Sequence, residues 1–155
     1  MEQLKEILNL TNYVSLIIPI LTIIFTWKIY EKANQPGWKA LIPGYNKYIL
    51  FKICWNTKIF FIELALFLGI IICIITGSYI AFLNLGFISL LMSNLFLVTC
   101  IISFIIILVI EIKIKINLSI CFKKRVWFYI GIIIFPAVFL GILAFDNSEY
   151  NKLEN

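Results

Sequence analysis

Between Lys58 and Lys113 the only charged side chains are Glu63 and Glu111. Nothing constrains this chain more. About 20 apolar residues already cross the hydrocarbon of a bilayer, and a helix is the one unpaired segment that satisfies its own backbone there. Asn84, Leu85 and Gly86 offer a turn, so the stretch predicts two spans, about 59–83 and 87–112, joined as an antiparallel helical hairpin.

Two more apolar runs flank it. The first span is expected over about 13–29, with Thr22 and Thr26 placed to bond back to the preceding turn and Pro19 placed to loosen it. The last is expected over about 126–145, broken in its middle by Pro136. The chain of 155 residues is 63% hydrophobic and 14% charged, against about half and a quarter in a soluble domain. The fold class is therefore all-α: an integral membrane bundle of four transmembrane helices, read as a single membrane domain over 1–155, with an interfacial elbow between helices 1 and 2. The start of the chain lacks a basic n-region and a small-residue cleavage site, so the first run is expected to stay in the mature protein.

Eleven of the thirteen basic residues fall in two segments, Lys28 to Lys58 and Lys113 to Arg125, and none falls between spans two and three. Lysine-rich segments stay on the cytoplasmic side. With four spans, this predicts a bacterial plasma-membrane protein with both termini outside, the acidic tail (Asp146, Glu149, Glu154) included. The same basic segments account for the net charge of +5 by attraction to anionic lipid at the cytoplasmic face, so nucleic acid is not an expected partner.

The polar interruption over about 34–56 is where a site is most expected. Gln35-Pro36-Gly37 ends the first helix, and Pro43-Gly44 cuts the rest of the interruption into two short pieces. Trp38, Leu41, Ile42, Tyr45, Tyr48, Ile49 and Trp55 recur at helical spacing with Lys39, Lys47 and Lys52 among them, as in a segment lying at head-group level. The same role of interface anchor is expected of Trp27, Tyr30, Lys123, Lys124 and Arg125. A small pocket floored by Trp38, Tyr45 and Asn46 is the sharper reading; a plain structural elbow is the simpler one. Glu63, set inside the second span with no cation one turn away in its own helix, is the intramembrane carboxylate to weigh as a functional group or as the partner of Lys113 or Lys115. Ser89, Ser93 and Asn94, with Ala65 and Gly69, read as helix-packing positions.

Histidine is absent, and Cys54, Cys73, Cys100 and Cys121 form no CxxC pair, so no metal or cofactor is expected and the thiols read as reduced fillers. Nucleophile–base arrangements, glycine-rich phosphate loops and HExxH are missing, which points away from an enzyme.

Three segments carry a resemblance: Glu31-Lys-Ala-Asn-Gln-Pro-Gly-Trp38, Lys39-Ala-Leu-Ile-Pro-Gly-Tyr-Asn-Lys-Tyr48 and Ile142-Leu-Ala-Phe-Asp-Asn-Ser-Glu-Tyr150. They resemble a bacterial four-helix membrane family, a domain of unknown function sometimes found ahead of a type I signal peptidase. A Phe-Gly-Lys is usual there before the last helix; this chain has Phe122-Lys-Lys, a departure where the glycine would make a tight turn. The resemblance implies a non-enzymatic accessory or interaction protein for membrane or exported proteins, in processing, export or peptide immunity, working with another membrane protein or with itself. The alternative from the residues alone is a transport or small-ligand-binding subunit using Glu63 and the 34–48 elbow.

Overall fold

The computed structural model describes residues 1–83 and 86–152. Every regular element among them is helical: α1 (Glu2–Lys32), a 3-10 turn (Gly37–Leu41), α2 (Tyr45–Cys54), α3 (Thr57–Phe82), α4 (Phe87–Cys121), α5 (Val126–Ile134) and α6 (Pro136–Phe145). Among the described residues three helices are long and apolar enough to cross a membrane, over Tyr13–Lys32, Thr57–Ile80 and Ser89–Cys121. The chain forms two units, residues 1–55 with 115–155 and residues 56–114.

The second unit is the expected hairpin. Cys73 Sγ lies 3.8 Å from Thr99 Oγ1, and a Cβ at Gly77 would lie 3.7 Å from Phe96, the pairing of antiparallel helices. Gly86 takes a positive φ of 62° at the turn, while Asn84 and Leu85, also expected in it, lie outside the described residues. Ser89, Ser93 and Thr99 each bond back to a carbonyl of the preceding turn, so their hydroxyl protons are satisfied within their own helix. The helix expected to end near 112 continues to Cys121: no proline or glycine interrupts it, and its 35 residues reach about 52 Å.

In the first unit, α1 passes straight through Pro19 and ends three residues beyond the expected 29. Thr22 and Thr26 bond back to Ile18 O at 2.8 Å and Thr22 O at 2.6 Å, as their spacing required. Asn34 takes a left-handed φ of 54°, with its N–H on Glu31 O and that of Gln35 on Tyr30 O, a Schellman close. The 3-10 turn then lies back against α1. Gly44, at φ 79°, separates it from α2, so the elbow comes in the two pieces that Pro43-Gly44 prescribed.

The expected fourth span is corrected. Phe135 precedes proline, which pushes it out of the helical region to φ −125° and ψ 68°. Pro136 has no N–H to continue α5, so it opens a new helix at its first position. The chain reverses there. Phe128 of α5 packs edge-on against Phe139 of α6 at 5.1 Å, and a Cβ at Gly131 would run into the Phe139 ring, so only glycine allows the two to close. Down α1, Gly141 faces Phe25, Phe145 stacks edge-on with Phe25 at 6.0 Å, and Leu143 and Asp146 meet Lys32. Hence α6 runs parallel to α1, and the residues before α5 and after α6 meet as an ion pair, Lys124 with Asp146. Instead of one span of 20 residues there are two helices of 9 and 10, about 13 and 15 Å long, each about half a bilayer core. Residues 146–152 therefore return to the end of α5 that carries Lys123–Arg125. Asp146 and Glu149 share that return; Glu154 lies outside the described residues.

Candidate functional site

The site is built where the ends of α1, α2, α4 and α6 meet, all within the first unit. Its centre is apolar and tight: Ile29, Ile49, Phe51, Leu143 and Phe122 are at most 1% exposed. Around this plug the polar groups are matched one to another.

Lys32 closes two helices at once. It stands in the last turn of α1, and its ammonium donates to Leu143 O at 2.7 Å, Asp146 O at 2.6 Å and Asp146 Oδ1 at 3.0 Å. Three donors meet three acceptors, two of them carbonyls at the negative end of α6, where a cation is favoured. The carboxylate of Asp146 also accepts from the Lys124 ammonium and from the Ser148 hydroxyl and amide. Burial opposes its ionisation, but the hydrogen bonds from Lys124, Ser148 and Lys32 outweigh that and hold its carboxyl well below the usual range.

A second layer is uncharged. Tyr30, fully buried, shares its hydroxyl proton between the backbone oxygen of Asn46, at 2.5 Å, and the side-chain oxygen of the same residue. Tyr150 donates to Ile53 O at 2.6 Å, and Asn151 N–H to Cys121 O at 2.7 Å. These bonds draw the tail onto the ends of α2 and α4. Burial pushes the Tyr150 phenol up to about 12, with the Cys121 and Cys54 thiols adding to it. Burial, then the adjoining Cys121 thiol, also raises Cys54 well above the ordinary thiol value, so it stays protonated at neutral pH. All four cysteines are reduced thiols.

The end of α4 carries a strained link. Lys123 takes a left-handed φ of 52°, with its N–H on Ile120 O at 2.9 Å and that of Lys124 on Ser119 O at 3.0 Å. This is a second Schellman close, at the position where the resemblance led a glycine to be expected. The tight turn forms all the same, with lysine bearing the conformational cost of about 1–2 kcal/mol. Lys123→Gly should therefore raise stability by about 0.5–1 kcal/mol, the difference between relief of that strain and the greater chain entropy of glycine. A thermal melt in detergent checks this; an unchanged or lowered midpoint would contradict it.

The residues expected to form a pocket are only partly gathered. Trp38 and Tyr45 are 49% and 38% exposed and stack on one another at 6.5 Å, with Tyr48 next in the ladder at 5.8 Å. Asn46 turns the other way, to Tyr30. Glu63 is 5% exposed and belongs to the second unit. Of the expected anchors, Trp27 donates its indole N–H to Glu31 at 2.6 Å, Lys39 donates to Gln35 at 3.0 Å, and Trp55 stacks on Phe51 at 6.1 Å. Lys52, Lys123 and Arg125 are exposed, and Lys47 is half-buried. Lys124, expected as an anchor, is a partner of Asp146 and sits over the Phe128 ring at 5.5 Å.

Sequence reasoning missed Tyr30, Lys32, Asp146 and Tyr150 as one constellation. The available signal was that the three resemblance segments hold all four of them or adjoin them, though they lie at opposite ends of the chain. Among the described residues no cluster of three or more His, Cys, Asp or Glu could hold a metal ion. Compared with known proteins, the chain matches no protein-family model, no curated protein and no solved structure.

Proposed function

We propose that this chain is an integral membrane protein of three spans and one re-entrant hairpin, serving as a non-enzymatic accessory or interaction protein for membrane or exported proteins. Its lysine-bearing elbow and the 113–125 segment face the cytoplasm, where anionic lipid attracts them. The N-terminus lies outside and the C-terminal segment inside, which replaces the four-span expectation of two outside termini.

One observation carries the reading. The polar groups of the site are bound to each other in a closed set: Lys32 to three acceptors, Asp146 to Lys32, Lys124 and Ser148, Tyr30 to Asn46, and Tyr150 to Ile53. A reactive centre needs a nucleophile, acid or base directed at a substrate. Here those groups fasten helix ends together and make a rigid base on which membrane segments are presented. The three resemblance segments supply most of that base.

The test is association. A tagged chain extracted in mild detergent should elute well above its own 18.0 kDa with a second membrane protein, or a second copy of itself, in fixed stoichiometry and resistant to salt. Elution of the chain alone from several detergents would overturn the reading.

A further inference from the structure

We propose that the cleft between α1 and the 3-10 turn is a binding site for a phospholipid with a primary-amine head group. The acyl chain would lie against Ile23, Ile24 and Leu41, and the head group between Lys28 and Glu31. The cleft, of about 420 Å³, is lined by these residues and Trp27. The proposal needs α1 to span the bilayer and does not depend on any protein partner.

The lining changes character along the helix in the way a phospholipid does. Ile23 and Ile24 lie about a turn deeper than Lys28 and about two turns deeper than Glu31, which stands in the last full turn of α1. Leu41, 55% exposed, adds an apolar wall from the 3-10 turn. Apolar surface at depth and charge at the mouth suit an amphiphile lying parallel to α1.

The mouth is built rather than incidental. Gly37 is buried against the Trp27 ring so closely that a Cβ there would lie 2.2 Å from the indole nitrogen. The ring is thereby fixed, and its N–H holds the Glu31 carboxylate at 2.6 Å. Lys28 is set over the Phe145 ring at 5.7 Å. One oriented carboxylate and one ammonium, a turn apart, complement a zwitterion whose phosphate meets Lys28 and whose ammonium donates to Glu31. An anionic lipid without an amine offers the same phosphate to Lys28 but no cation to offset the Glu31 carboxylate. A quaternary ammonium carries the charge but has no N–H to donate. The order of affinity should be phosphatidylethanolamine above phosphatidylcholine and phosphatidylglycerol.

Native mass spectrometry of the full chain, released from micelles doped with equal amounts of those three lipids of identical acyl composition, reads this order. Phosphatidylethanolamine should be retained several-fold over the other two. Glu31→Gln should erase the amine preference while phospholipid is still retained, Lys28→Gln should weaken all three, and Leu41→Trp, which fills the cleft, should reduce retention of all three. Circular dichroism melts of each variant show that it is folded. Equal retention of the three lipids by the unmodified chain would overturn the proposal. So would a preference unchanged in folded Glu31→Gln and Leu41→Trp, or full competition by chain-free O-phosphoethanolamine.

Discussion

A cysteine placed at Lys152 should react with a membrane-impermeant maleimide from the same side of the membrane as one placed at Lys123, and from the opposite side to one placed at Glu6. In sealed vesicles of one orientation the difference should be all-or-none. The native thiols give little background, since Cys54 and Cys121 are buried and Cys73 and Cys100 lie within apolar helices. The expectation rests on direction. α6 runs parallel to α1, and a chain that enters through 9 residues of α5 and leaves through 10 of α6 has not crossed about 30 Å of hydrocarbon. Lys124 and Asp146 are an ion pair and Asn151 N–H reaches Cys121 O at 2.7 Å, so positions 123 and 152 cannot be parted by a bilayer. A four-span chain would instead put Lys152 with Glu6. Labelling of Lys152→Cys and Glu6→Cys from the same side would therefore refute the hairpin.

Asp146→Asn should be the most damaging single conservative change in the described structure. The side chains of Asp146, Lys32 and Lys124 are only 21–22% exposed, so removing one negative charge leaves two cations partly desolvated with no counter-charge. Breaking a fully buried pair costs about 3–5 kcal/mol; with this partial exposure, about 2–3 kcal/mol is expected. For a chain of this size that corresponds to a fall of about 5–10 °C in Tm.

The pH profile isolates the charge. The folded Asp146 carboxyl titrates below its unfolded value of about 3.9, so its contribution is fully present above about pH 5. It is lost as the pH falls through the unfolded and then the folded value. The unmodified chain should keep a flat Tm from neutrality to pH 5 and lose stability below it, and Asp146→Asn should lack that loss. A Tm within 1–2 °C of the unmodified chain, or an unchanged acid limb, would show that Asp146 is not the tie described.

Much of the helical content is legible in the sequence because its signals are local. Thr22 and Thr26 sit one turn apart and make the bonds that spacing implies. Pro43-Gly44 divides the 34–56 segment at the expected place, and Cys73 faces Thr99 across the hairpin expected of the stretch between Lys58 and Lys113. The departures concern the meeting of distant parts. Pro19 and Pro136 are the same residue in similarly apolar runs, yet α1 continues through the first and the chain reverses at the second. The difference is what waits beyond. Gly131 admits the Phe139 ring, and α1 offers α6 the Phe25 edge and the Lys32 ammonium, so reversal is repaid in contacts no window of 20 residues contains. Tyr30, expected as an interface aromatic, is likewise buried by a distant element, its partner Asn46 in α2.

The end of α4 lies beyond the expected 112 because Lys113 and Lys115 do not terminate it. Lysine is a good helix former, and its charge bears on where a helix leaves the lipid, not on where the helix stops.

The reversal at Phe135 also orders the making of the protein. In the proposed topology α5 and α6 begin and end on one side, so neither has to be handed across the bilayer once α4 has been delivered. The two short helices reach their place by folding, not by export. Their docking must wait for the residue after α6, because Lys32 is closed by an acceptor 114 positions downstream. A chain cut just before Asp146 would thus keep α1 to α6 and leave the Lys32 ammonium with one of its three acceptors, so the residue after α6 matters more to the closure of α1 than its place outside every helix suggests.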